Sequence, residues 1–338
     1  MRLDGFTPER VYYEPGILGY PLGRTLHERY RALSVPMIEI ENHNRIPELR
    51  ARPEADFARM KRYLVLGVRK SLTHTKNAKT SDFLVPYTSS GCSAMCLYCY
   101  LVCTYFTSAY LRVFVNREAM MAKMKRKAEK DQRHYVFEIG SNSDLVLENI
   151  VTGNLPWTIG EFAGAPFGHL TLPTKFHMVD ELMGLDHGGR TTIRMSLNPE
   201  DIIRRVELGT SPLAGRMEAL VRLYEAGYPV GILVAPVILV PGWQDMYRAL
   251  FKTMAENLPE ELLRSAPLEL IFMTYSRTHE SINAAAFPVA ATFCSRELMR
   301  PGGRGKYRYR AEERGPAEEF LRQSLAELLP ASPIAYIC

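Results

Sequence analysis

Four of the six cysteines fall in one short run, Gly91-Cys92-Ser93-Ala94-Met95-Cys96-Leu97-Tyr98-Cys99-Tyr100-Leu101-Val102-Cys103. Cys92, Cys96 and Cys99 have the spacing C-x3-C-x2-C. Three thiolates on one loop can hold three irons of a 4Fe–4S cube. The fourth iron then keeps an open position for a ligand that is not protein, as a reductive cleavage enzyme needs. Two other readings stay open on the residues alone. A structural zinc would take Cys103 as its fourth ligand, but such sites usually draw on two separated pairs, and no second pair is present. The thiols could also carry no metal, although lone cysteines rarely crowd in this way. Cys294 and Cys338 have no neighbours of this kind and receive no role.

The elements around this run decide where the thiols sit. Phe83 to Tyr87 is a short apolar run ending in a Ser/Gly loop, which predicts a buried strand feeding the cysteines. A helix follows from Asn116 to Lys130, with Asn116 as N-cap. Further strands are expected at Val136–Ile139, His169–Pro173, Thr192–Leu197, Val230–Val234 and Leu268–Met273. Between them Met217, Leu220, Val221 and Tyr224 mark an amphipathic helix over Arg216–Ala226, and another is expected at Gln244–Leu258. Six strands alternating with helices predict an α/β fold with a parallel sheet: a partial (β/α)6 TIM-like barrel, short of the closed eight.

The flanks read differently. Residues 1–80 are punctuated by Pro15, Pro21, Pro36, Pro47 and Pro53 and are expected to form an N-terminal extension, with a polar helix from Glu54 to Lys70 and a basic arm from Arg69 to Lys79. Residues 81–280 would be the barrel and 281–338 a C-terminal hairpin and helix. In Pro301–Arg310, basic and aromatic residues alternate after a Gly-Gly turn, which predicts a hairpin with tyrosines on one face and charges on the other. A closing helix is expected from Pro316 to Leu329.

The chain has 338 residues, 46% of them apolar and 23% charged, so disorder, collagen and coiled coil are excluded for the whole. The net charge of +5 is compatible with a polyanion partner without requiring one. The longest apolar stretch, Val230–Val240, is too short to span a bilayer, and no signal peptide is visible, so a cytoplasmic protein with reduced thiols and no membrane partner is expected.

The cysteine motif after the first barrel strand, with Tyr98 between its last two cysteines, resembles the signature of radical S-adenosylmethionine (AdoMet) enzymes. More specifically, residues 80–310 resemble the spore photoproduct lyases. The likeness runs through Val85-Pro86-Tyr87, Cys96-Leu97-Tyr98-Cys99-Tyr100-Leu101, Ser143-Asp144, Thr174-Lys175-Phe176-His177, Ser196-Leu197-Asn198, Gly209-Thr210-Ser211-Pro212-Leu213, Val234-Ala235-Pro236 and Gly305-Lys306-Tyr307. The resemblance implies repair of 5-thyminyl-5,6-dihydrothymine, the thymine dimer of ultraviolet-irradiated spore DNA. A reduced 4Fe–4S cluster cleaves AdoMet to a 5′-deoxyadenosyl radical, which takes hydrogen from C6 of the lesion. The thymine–thymine bond then breaks, and a hydrogen donor quenches the product radical.

By resemblance, Cys92, Cys96 and Cys99 ligate the cluster, Ser143, Lys175 and Ser196 contact the methionine and ribose parts of AdoMet, and Ala235 packs near the adenine. Tyr98 and Tyr100 match tyrosines of a radical relay. Arg304, Lys306, Tyr307, Arg308, Tyr309 and Arg310 match the hairpin at the lesion, where cations neutralise phosphates and aromatics handle flipped bases. The implied partners are double-stranded DNA carrying the lesion and an electron donor such as flavodoxin or ferredoxin. The implied compartment is the spore core or germinating cell. One departure stands out. Best-known members carry a cysteine hydrogen donor where this chain has Ser141. A hydroxyl O–H bond is too strong for that step, so Cys103, four residues past the last cluster ligand, is expected to serve instead. Two rival readings remain: a paralogue with the same cofactors on another substrate, and a non-catalytic, metal-stabilised nucleic-acid-binding protein.

Overall fold

A computed structural model describes residues 6–105, 110–289, 293–303 and 305–338, and the side chains of residues 103–105 fall outside the description. The chain gathers into two compact units. The first takes residues 1–93, 105–174 and 180–192, and the second takes 94–104, 175–179 and 193–338. The boundaries expected at residues 80 and 280 each fall inside a unit.

In the first unit, the expected extension is a folded sheet. Strands Met37–Glu39, Arg10–Tyr13, Tyr63–Gly67 and Leu111–Phe114 lie side by side in that order, all parallel, and Ser89–Ser90 adds antiparallel to the last. Val11, Ile17, Leu26, Leu64, Leu66, Leu111 and Val113 form its core, each at most 1% exposed. Pro21 and Pro47 are not breakers here but open the helices Pro21–Ala32 and Pro47–Arg50, where a missing N–H costs nothing. The helix expected over Glu54–Lys70 shrinks to Phe57–Met60, and Tyr63–Gly67 is a strand buried along its whole length. A continuous apolar run has no period, so periodicity cannot tell helix from buried strand.

The same unit holds strands Phe83–Leu84, Val136–Glu138 and His169–Thr174, parallel in chain order, with Thr75–Lys76 antiparallel at the edge. The helix Arg117–Asp131 buries Met120, Met121, Met124 and Ala128. Asn116 precedes it but does not cap it. Its amide instead bridges the Arg69 backbone, accepting from the N–H and donating to the carbonyl, both at 2.9 Å.

In the second unit, strands Thr191–Ser196, Val230–Val237 and Leu268–Phe272 are parallel in chain order, with helices Leu213–Glu225 and Trp243–Asn257 between them. All six expected strands are present. A further strand, Ile334–Ile337, pairs parallel with Leu268–Phe272. The expected hairpin forms from Met299–Gly303 and Lys306–Tyr309, and Thr274–Ser276 pairs with it as a third strand. The closing helix starts earlier than expected and runs over Ala311–Leu328. Among the described residues, no helix is long and apolar enough to cross a membrane.

Candidate active site

The cysteine run is shaped by its backbone neighbours. Gly91 has φ +78°, a left-handed turn that a side chain would strain, and its N–H donates to Asn142 O at 2.8 Å. In the same unit, Lys61 Nζ donates to Cys92 O at 2.8 Å. In the second unit, Met95–Cys96 pairs antiparallel with Glu207–Leu208. There His279 Nε2 contacts Cys99 O at 2.9 Å, and Asn283 Nδ2 donates to Leu97 O at 2.8 Å. His279 and Asn283 lie one turn apart on the helix Arg277–Ala286, so one helix face fixes two carbonyls of the thiol run. Sequence reasoning missed Lys61, His279 and Asn283. The i, i+4 spacing of His279 and Asn283 was the available signal for that pair.

Cys92, Cys96 and Cys99 are each half-buried, and none is in a disulfide. Among the described residues, no group of three or more His, Cys, Asp or Glu side chains is gathered to hold a single metal ion. The thiols suit an iron–sulfur cluster by donor type, and Lys61, His279 and Asn283 already hold backbone carbonyls of the run.

A charged hub lies beside the run in the second unit. Glu207 is 1% exposed and accepts four hydrogen bonds from side chains. The donors are Lys175 Nζ at 2.8 Å, Asn198 Nδ2 at 2.8 Å, Arg216 Nη2 at 2.7 Å and the Tyr98 hydroxyl in a short contact. Burial alone would raise its pKa, but the charges of Lys175 and Arg216 outweigh burial and hold the carboxyl at about 2. Burial, followed by the Glu207 charge, pushes the Tyr98 phenol well above its ordinary value. Arg216 is fully buried and also donates to the carbonyls of Ser196 and Ser211. Glu207 and Arg216 are central to the site, yet sequence reasoning gave them no role.

Lys175 stands at the strand ends, where a barrel opens. Its ammonium also donates to Ser196 Oγ and to Ala235 O, each at 2.7 Å. Lys175, Ser196 and Ala235 are therefore brought together. Asn198 Oδ1 is buried in the same unit without a hydrogen-bond partner. Ser143, in the first unit, keeps its Oγ buried and without a partner beside Asp144, which caps the helix Leu145–Thr152. An orphaned hydroxyl and an orphaned amide oxygen are groups a polar cofactor would satisfy.

Tyr98 is half-buried and Tyr100 is 50% exposed. The Ser141 hydroxyl donates to Glu138 Oε1 at 2.6 Å, so its hydrogen is already committed. Cys103 falls on the helix Tyr100–Tyr105, and its side chain lies outside the described residues.

The hairpin alternates as expected, but its aromatic face turns inward. Lys306 and Arg308 are exposed, whereas Tyr307 and Tyr309 are 9% and 5% exposed. Tyr309 OH accepts from Leu239 N at 2.9 Å. Tyr307 OH accepts from Arg277 Nε at 3.0 Å, and Arg296 stacks 3.5 Å from its ring centroid. Packing and these hydrogen bonds engage both tyrosines, expected to handle flipped bases, within the protein. Arg310 is exposed and leads into the closing helix. Arg304 lies outside the described residues.

A family model described as spore photoproduct lyase matches residues 6–338. The spore photoproduct lyase of Bacillus subtilis (strain 168) is 32% identical over 340 residues, covering 98% of each chain. That of Geobacillus sp. (strain Y412MC61) is 31% identical over 338 residues, again covering 98% of each. A solved spore photoproduct lyase complexed with dinucleoside spore photoproduct matches with a TM-score of 0.91 at 29% identity, covering 98% of this chain and 99% of its own. A mutant lyase with bound AdoMet and the same dinucleoside matches with the same score, identity and coverage.

Proposed function

The chain belongs to the spore photoproduct lyase family, and from that premise we infer that it is an AdoMet-dependent repair enzyme that reverts 5-thyminyl-5,6-dihydrothymine in DNA to two thymines. The observation that carries the assignment of its site is the Lys175 cradle, a half-buried ammonium at the strand ends among Ser196, Ala235 O and the buried Glu207.

Lys175 is assigned to the carboxylate of AdoMet. All three of its hydrogens are engaged, so the cofactor would replace a neutral acceptor, Ser196 Oγ or Ala235 O, while Glu207 keeps the ammonium in place. The orphaned Ser143 hydroxyl and the Ser196 hydroxyl are each assigned to the amino group or ribose, and Ala235 to packing near the adenine. Cys92, Cys96 and Cys99 would hold a 4Fe–4S cluster. When bound, the cluster and AdoMet supply the 5′-deoxyadenosyl radical. Glu207 holds the Tyr98 hydroxyl in a fixed orientation, which suits a relay tyrosine, and Tyr100 is the exposed second member.

The hydrogen donor to the product radical is assigned to Cys103, because Ser141 offers no thiol and its hydroxyl is bound to Glu138. Lys306, Arg308 and Arg310 are assigned to phosphates of duplex DNA, with flavodoxin or ferredoxin as electron donor and the spore core or germinating cell as the compartment. Ser141 also supports the rival of the same cofactors on a different substrate.

Anaerobic turnover of the defined dinucleoside lesion decides between these readings. Formation of free thymidine from the dinucleoside supports repair, and AdoMet cleavage without it supports the rival. Cys96→Ala should lose its iron and all AdoMet cleavage. Cys103→Ala should keep the cluster and give less clean product and more trapped-radical adduct. An unchanged product distribution would refute that donor.

A further inference from the structure

Positive charge is unevenly spread along this chain. The segments 69–79 and 117–131 together carry ten Lys and Arg against three acids, an excess of seven, although the whole chain nets only +5. The remaining residues are therefore slightly acidic. The fold brings the two segments together within the first unit. Strand Thr75–Lys76 pairs with Phe83–Leu84, placing Lys76 opposite Phe83. Lys127, on the helix Arg117–Asp131, lies 4.7 Å from the Phe83 ring centroid and 5.0 Å from that of Tyr135. His74 packs edge-on against Phe137 and tilted against Phe83. Its pKa falls to about 4, through burial first and then the charges of Lys123 and Lys127. The two segments therefore share one field.

We propose that Lys70, Lys76, Lys79, Lys123, Lys127 and Lys130 form a second contact surface for the phosphate backbone of duplex DNA, separate from the hairpin. The segment 69–79 has no acidic residue and includes Ser71, Thr73 and Thr75, so hydroxyls and extended backbone accompany its cations. Such groups position a protein on phosphates without reading bases. On the helix, Lys123, Lys127 and Lys130 follow i, i+4, i+7, one face of 3.6-residue periodicity. Lys125 pairs with Glu161 at 3.1 Å and Lys127 with Asp131 at 3.3 Å, a partly exposed i, i+4 pair that phosphate can compete for. A protein partner such as an acidic reductant would need an apolar centre to its interface. The large hydrophobic residues left exposed among the described residues, Leu18, Leu33, Tyr100 and Val289, all lie outside the two segments. The rings nearby are covered by Lys127 and His74.

The proposal rests on the DNA-repair reading, and its test separates the two. Lys76, Lys79, Lys123 and Lys127 would be changed together to Gln, with a Lys→Arg set as control for folding and charge. Binding of the cluster-free protein to a lesion-free duplex of about two helical turns would be followed by fluorescence anisotropy against salt. Turnover of the dinucleoside lesion, too short to span two surfaces, would be measured with dithionite and with a protein reductant. The Gln set should bind duplex at least about tenfold more weakly and lose up to roughly 3.6 units of the log–log salt slope, near 0.9 for each of four phosphate contacts. The Arg set should bind as wild type does, and dinucleoside turnover should be unchanged. An unchanged duplex affinity and slope in the Gln set overturns the proposal. So does a loss of turnover confined to the protein reductant, which would make the patch a docking face for that protein. Wild-type protein that binds duplex through the patch yet never turns over the dinucleoside would instead overturn the repair reading.

Discussion

Glu207 and Glu148 are both buried carboxylates, and their surroundings are opposite. Glu207, in the second unit, faces Lys175 and Arg216. Glu148, in the first, faces only neutral donors: Thr88 Oγ1 at 2.9 Å, Ser89 Oγ at 2.5 Å, Asn154 Nδ2 at 2.9 Å and Thr152 Oγ1 at 3.2 Å. Burial raises both pKa values. At Glu148 the hydrogen bonds do not offset it, and the pKa stays raised. At Glu207 two cations more than offset it. Hydrogen bonds can satisfy a buried carboxylate, but full charge compensation takes cations. The unit with the cations is also the one with the Lys175 cradle.

The comparison can be broken most decisively by Glu207→Gln, which strands Arg216 and Lys175 without their counter-charge. Removing one partner of a buried pair costs about 3–5 kcal/mol. Urea unfolding of the cluster-free protein should show that loss, and a change under about 1 kcal/mol would mean the cations are solvated after all. AdoMet affinity should also fall, because Lys175 loses the group that holds it.

Next in size is the pH dependence. The folded pKa of Glu207 lies below its ordinary 4.5, at about 2. Its contribution is present above 4.5 and fades as pH falls toward 2, by about 3 kcal/mol at 1.36 kcal/mol per unit. Glu148 runs the other way. Its folded pKa is raised, so its contribution is present below 4.5 and declines as pH rises through the folded value. Acid unfolding of wild type against Glu207→Gln should show the first dependence. Glu148→Gln should remove the second and leave stability flatter toward neutral pH. If the two variants titrate alike, the contrast is wrong.

The smallest test compares two tyrosines. Tyr98 donates to the charged Glu207, whereas Tyr87 OH pairs with Thr158 Oγ1 at 3.0 Å. Tyr98→Phe should cost about 2 kcal/mol and Tyr87→Phe about 1 kcal/mol, since hydrogen bonds to charged groups are worth more. Equal losses by thermal unfolding would remove the distinction.

Much of the fold was legible because barrel strands are short apolar runs bounded by turn residues. All six strands lie where apolar pattern and turns placed them. The first sheet was not legible. Tyr63–Gly67 has no period, and prolines that open helices look, in sequence, like prolines that break a chain. The C-terminal strand Ile334–Ile337 was missed because its partner, Leu268–Phe272, lies far away in sequence.

By itself the sequence determined the chemistry on offer: three thiols at a fixed spacing, a hairpin with alternating charges and tyrosines, and a hydroxyl rather than a thiol at Ser141. Those are local facts, set by covalent order and by the two-residue period of a strand. Only the tertiary structure decided which polar groups meet. Glu207, Lys175, Asn198, Arg216 and Tyr98 span more than a hundred positions, and no local pattern joins them. The direction of the Tyr307 and Tyr309 face was likewise settled by packing, because alternation fixes that two faces differ but not which one is buried. The pKa of Glu207 depends on distances of about 3 Å between residues remote in sequence, and a chain reveals those only once folded.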